Sequence, residues 1–255
     1  MSVLVGVVWN GKQADKLPVL YECLTNLRVS ADSVCVADDS ESSHYADEFR
    51  GRGYEVIRFD SCGLKTIQEK TVAGRNLLRH YFIENTQCSH IFWLDGDVSC
   101  PPETIRVLSD ARLDNVSAVR PQHGSIPGVF PFRWDLDKEL YGKYSLPNFM
   151  VVGWEWLCPS RLAEVSCYGF GCNLISRRAT ESCEFWCKPY SPATEDILYC
   201  MDLRLQGFPS YILTGLLCAH YYGELKRPDE RFDCGGDWSN LERFRRHTKQ
   251  WQKSH

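Results

Sequence analysis

Two carboxylates stand one residue apart in Asp95-Gly96-Asp97, directly after the apolar run Ile91-Phe92-Trp93-Leu94. A run of this length reads as a buried strand. In extended chain, residues two apart point to the same face, so both acids leave the strand end together. Like charges at that spacing repel, and a cation beside them relieves the repulsion. A hard divalent ion whose other ligands are phosphate oxygens suits the pair, and Gly96 lets the backbone turn and a ligand approach. The carboxyl edge of a sheet is also where open α/β folds bind ligands.

The elements that must carry this turn follow from the apolar pattern. Ser2 to Trp9 is almost wholly apolar, as a central parallel strand is, and Asn10-Gly11 ends it. Leu17 to Leu27 has helical spacing with Pro18 in its first turn. Strands are expected at Ser33–Ala37, Tyr54–Phe59, Ser117–Arg120, Tyr168–Ser176 and Tyr211–Cys218. Helices are expected from about Thr66 to Glu84, from Glu103 to Leu108, and from Asp196 to Gln206 with Gly207 beyond its end. This alternation predicts a Rossmann-like, doubly wound, mostly parallel sheet with helices on both faces. Periodicity weakens from Pro121 to Pro159, where Pro, Gly, Trp and Tyr are frequent. No internal repeat is visible.

The chain has 255 residues, 44 % hydrophobic and 24 % charged, the balance of an ordinary globular chain, and a net charge of −4. That charge argues against nucleic-acid binding by bulk positive charge. No apolar run reaches membrane-spanning length and the first residues lack a signal-peptide pattern, so a cytoplasmic protein is expected. There are 13 cysteines and no C-x-x-C. Cys35, Cys172 and Cys218 fall in apolar runs, where Cys acts as a small hydrophobe. Cys167, Cys172, Cys183 and Cys187 are a candidate zinc set, though of unusual spacing, and disulfides are the other option.

The order of motifs carries more than any one of them. Val36-Ala37-Asp38-Asp39-Ser40 is followed by Gly74-Arg75-Asn76, Leu94-Asp95-Gly96-Asp97 and Gly169-Phe170-Gly171. Then come Thr194-Glu195-Asp196, Leu203-Arg204-Leu205-Gln206-Gly207-Phe208, and a strand ending in His220. From Val3 to His220 this order resembles the GT-A glycosyltransferases, family 2 most closely. Around Arg75-Asn76 and Asp95-Gly96-Asp97 it is also similar to the Anp1-type mannosyltransferases.

The resemblance implies a GT-A catalytic domain over 1–225, followed by a lid loop and basic C-terminal helix over 226–255. It implies transfer of a sugar from a UDP- or GDP-sugar to a glycan, glycoprotein or lipid-linked acceptor, with Mn²⁺ or Mg²⁺. The nucleotide would lie against the first two strands, near Trp9 and Asp39, with Arg75 at the diphosphate or bracing the acids. Asp97 and His220 would hold the metal, and Asp95 would bind the ribose or the metal. Asp196 would be the base of an inverting reaction and Glu195 an acceptor contact, or the two exchanged. A retaining mannosyltransferase or a silent nucleotide-sugar-binding module are the alternatives. Gly171 would lie along the donor sugar, although Gly169-Phe170-Gly171-Cys172 departs from the family's small-residue run. Trp154 and Trp156 would stack on the acceptor, and Lys226 or Arg227 would reach the diphosphate. The basic tail, with Arg243, Arg245, Arg246 and Lys249, would pack on the domain or touch an anionic membrane surface.

Overall fold

A computed structural model describes residues 1–120, 129–130, 160–188 and 194–221 of the chain. In the N-terminal half, strand and helix alternate: β1 (Val3–Trp9), α1 (Leu17–Leu27), β2 (Ser33–Asp38), α2 (His44–Gly51), β3 (Glu55–Arg58), α3 (Ile67–Asn85) and β4 (His90–Asp95). Then follow β5 (Val98–Ser99), α4 (Thr104–Asp110), β6 (Asn115–Val119), β7 (Val129–Phe130), β8 (Leu162–Val165) and β9 (Cys167–Tyr168). The described chain closes with β10 (Cys172–Ser176), α5 (Arg177–Ser182), α6 (Glu195–Leu205), β11 (Ser210–Leu217) and β12 (Ala219–His220).

Eight strands form one sheet in the order β3-β2-β1-β4-β10-β6-β11-β8. The half up to β4 is parallel, as expected. Beyond it, β10 runs antiparallel between β4 and β6, and β8 runs antiparallel on β11. The sheet is therefore mixed. The expected single strand Tyr168–Ser176 divides into β9 and β10, with Gly171 at φ 139° between them. Only glycine enters that region without strain.

Alternation along β1 decides which face each side chain serves. Val3, Val5, Val7 and Trp9 join Leu20, Leu24 and Leu27 of α1 on one face. Leu4 joins Leu78 and Phe82 of α3 on the other. Full burial of each such side chain contributes about 1.5–3 kcal/mol. Helix α3 starts at a reciprocal cap: Thr66 accepts from the Glu69 N–H, and Glu69 accepts from the Thr66 N–H. Gly74 brings α3 close to β1, since a Cβ there would stand 2.7 Å from Val8 Cγ1. The next residue, Arg75, is thereby held over the carboxyl edge of the sheet.

The cysteines form no disulfide among the described residues. The imagined zinc set is not realised there either, because no group of three or more His, Cys, Asp or Glu is arranged to hold a metal by itself. Cys172 packs instead in the core cluster that holds Cys23, Cys100 and Cys218. No described helix is long and apolar enough to cross a membrane.

Candidate active site

After β4 the chain turns at Gly96 and forms β5, which pairs antiparallel with β12. In that register His220 lies opposite Val98, and the Tyr221 N–H donates to the Asp97 carbonyl at 2.8 Å. His220 Nε2 consequently stands 3.4 Å from Asp97 Oδ2. The short 3-10 turn Ala14–Lys16 closes on the same acid: Gln13 Nε2 donates to Asp97 Oδ2 at 3.1 Å, and Lys16 Nζ is 3.9 Å away. Burial alone would raise the Asp97 carboxyl. The hydrogen bond and charge of His220, with Arg120 and Lys16, outweigh burial and hold its pKa below the ordinary aspartate value.

A second group of acids meets Arg75. Its Nη2 donates to Asp95 Oδ1 at 3.1 Å and its Nη1 to Glu195 Oε1 at 2.8 Å. The guanidinium also lies 4.8 Å from the centre of the Phe170 ring. Burial disfavours the charged arginine, but Glu195, Asp95 and Asp196 outweigh that and raise its pKa. Glu195 is pushed up, by burial first and by Asp196 and Asp95 next, with Arg75 opposing. A carboxyl raised in this way can exchange a proton nearer neutral pH. Asp196 is differently placed. Its Oδ1 accepts from the Ile197 N–H at 2.8 Å and from the Thr194 hydroxyl, and its Oδ2 accepts from the Phe170 N–H at 3.2 Å. It therefore ties the start of α6 to the Gly169-Phe170-Gly171 segment.

Arg120, which the sequence reading treated only as a strand end, enters the same space. Its Nη1 lies 3.8 Å from Asp95 Oδ2, and 3.4 and 3.2 Å from the two ring nitrogens of His220. Both oxygens of Asp95 thus face guanidinium groups. In this arrangement Asp95 bridges the two arginines while its side chain stays 29 % exposed. The Asp97 and His220 donors suit a divalent cation such as Mn²⁺ or Mg²⁺. Among the described residues no group of three or more His, Cys, Asp or Glu is arranged to hold a metal, so phosphate oxygens and water would complete the shell of such an ion.

No family model matches the chain, and no curated protein matches it in sequence. Among solved structures it is similar to GalNAc-T7 crystallised with UDP, GalNAc and Mn²⁺, at TM-score 0.57 and 12 % identity, over 98 % of this chain. The chain spans 54 % of the length of that one. The chain has the GT-A glycosyltransferase fold. A further match, to A197 from STIV, has TM-score 0.47 and 15 % identity, covering 88 % of this chain and 87 % of the other.

Within the GT-A fold, the remaining expected residues divide. Asp39 sits at the end of β2 beside β1, its N–H donating to the Trp9 carbonyl at 2.8 Å. Its carboxylate takes the Ser61 N–H at 3.1 Å and the Ser61 hydroxyl at 2.6 Å, with Lys70 Nζ at 3.9 Å. It is used to fix the chain after β3 against β2. Trp9 was expected near the nucleotide. The ring is buried in the core, packed edge-on against Tyr45 and Phe49 and beneath Gly96. Strand alternation placed it on the α1 face. Gly171 lies at the site, where a Cβ would stand 3.1 Å from Asp95 Oδ2. Trp154, Trp156, Lys226, Arg227 and the segment 226–255 lie outside the described residues. Arg120, Gln13 and Lys16 were missed. A lone arginine ending an apolar strand was the one available signal, because a charge rarely follows a buried run without a partner.

Proposed function

We propose that this protein is a metal-dependent glycosyltransferase that moves a sugar from a nucleoside-diphosphate sugar to an acceptor hydroxyl. The observation that supports it most is the pairing of Asp97 with His220 beside the Arg75-linked acids, at the carboxyl edge of a GT-A sheet. The GalNAc-T7 structure carries UDP, GalNAc and Mn²⁺, and the same classes of donor and cation are proposed here.

Asp97 and His220 would hold the cation, which would supply positive charge to the diphosphate. Gln13 orients Asp97, and Lys16 adds a fixed charge beside it. In the reaction the bond from the anomeric carbon to the diphosphate oxygen breaks, and its electron pair stays on that oxygen. The acceptor oxygen forms the new bond to the anomeric carbon, and its proton passes to a carboxylate. Glu195 is the better proton acceptor of the acidic pair, because burial has raised its pKa while Asp196 is committed to three internal donors. Arg75 links Glu195 to Asp95 and so fixes the acceptor side relative to the donor side. The acceptor is a glycan, glycoprotein or lipid-linked hydroxyl.

The test is release of nucleoside diphosphate from a panel of UDP- and GDP-sugars with Mn²⁺ and mixed acceptors. Turnover that Asp97→Ala abolishes supports the proposal. Tight binding of nucleotide sugar with no turnover for any acceptor replaces it with a silent binding module.

A further inference from the structure

Arg120 is a loosely held charge among the described residues of the site. Its side chain is only 12 % exposed. Nη1 reaches Asp95 at 3.8 Å, beyond hydrogen-bond length, and Asp95 already takes Arg75 at 3.1 Å on its other oxygen. The His220 contacts, at 3.4 and 3.2 Å, are to an imidazole that also faces Asp97. Nε is buried with no hydrogen-bond partner among the described residues. A buried guanidinium held this loosely is costly unless an anion completes it.

The neighbouring chain leaves room for the guanidinium. A Cβ on Gly169 would stand 2.5 Å from Arg120 Nη2, and one on Gly171 would stand 3.0 Å from Arg120 Cδ. The two glycines flanking Phe170 therefore keep the guanidinium in place against Asp95 and His220.

Resting on the transferase reading above, we infer that Arg120 is a diphosphate-binding residue, a permanent cation that holds the leaving group beside the metal pair. Its planar fork suits two phosphate oxygens at once. It donates hydrogen bonds to the diphosphate before and after the glycosidic bond breaks, and exchanges no proton. Its charge persists when divalent ions are removed, so part of the nucleotide affinity is independent of metal.

The experiment is calorimetric binding of UDP and GDP to the full chain, once with Mn²⁺ and once with EDTA. Wild type is expected to keep measurable binding of at least one of them in EDTA. Arg120→Gln is expected to weaken that binding by about 10–100-fold, the weight of hydrogen bonds to a charged group. Arg120→Lys is expected to recover part of it, and Arg106→Gln on the exposed face of α4 to change nothing. Equal EDTA affinities for wild type and Arg120→Gln overturn the inference alone. Absence of binding by wild type in both conditions overturns the transferase reading with it. Should Arg120→Gln fail to fold, Arg120→Lys decides, since an unchanged affinity in EDTA overturns the role of the fork.

Discussion

His220 Nε2 stands 3.4 Å from Asp97 Oδ2 because two strands of two residues each, β5 and β12, pair outside the main sheet. The site depends on this small pairing. Asp97→Ala and His220→Ala should each weaken Mn²⁺-dependent nucleotide binding. Loss of a group that only orients a ligand costs 10–100-fold, so losing a ligand itself should cost at least about 10-fold. Titration of Mn²⁺ by electron paramagnetic resonance, with UDP or GDP present, measures it.

Arg75 is enclosed by Asp95, Glu195 and the Phe170 ring. Removing it leaves carboxylates buried without their cation. Arg75→Ala should lower stability by about 3–5 kcal/mol, the usual result of breaking a buried pair from one side. Urea unfolding checks this. Arg75→Lys should lose less stability, yet hold Glu195 and Asp95 less firmly, because one ammonium cannot span both as the fork does.

The acidic pair at the start of α6 should separate in its effects. Glu195→Gln should lower kcat by about 10²–10⁴-fold with donor binding little changed, as removal of a general base does. Asp196→Asn should chiefly lower the melting temperature, since its carboxylate holds the Phe170 N–H and the helix start. Donor affinity, single-turnover rate and melting curves on the same preparations distinguish the two.

Gly171→Ala should damage both fold and site. A side chain at φ 139° is strained, and its Cβ would stand 3.0 Å from Arg120 Cδ and 3.1 Å from Asp95 Oδ2. Overpacking of this kind costs about 1–3 kcal/mol before backbone strain is added. Thermal unfolding and nucleotide affinity should both fall.

At the far end of β10, the Arg178 guanidinium and the Ser176 hydroxyl hold the Asp114 carboxyl below the usual aspartate range. A depressed folded-state pKa means that the unfolded chain binds more protons in the interval between the two values. The contact therefore stabilises fully above the ordinary aspartate pKa and is lost as pH falls through the lower, folded value. Asp114→Asn should lower the melting temperature at neutral pH. The gap from wild type should shrink under strongly acid conditions, as calorimetry across pH can show.

The apolar runs of β1, β2, β4 and β11 were legible in the sequence because burial on both faces leaves a continuous hydrophobic signal. The limits of α1 and α3 were nearly so, since helical spacing and end residues are local properties. For the same reason the Asp95-Gly96-Asp97 turn could be placed at a strand end. Helix α2 escaped notice because only Ala46 and Phe49 of it are buried, too few to mark a period. The antiparallel insertion of β10, the β5–β12 pairing and the arrival of Arg120 beside Asp95 and His220 were decided by tertiary structure alone. A residue's own neighbours in sequence set which face it takes. Strand direction, register and charge partners are set by elements far along the chain, which also gave Asp39 to Ser61.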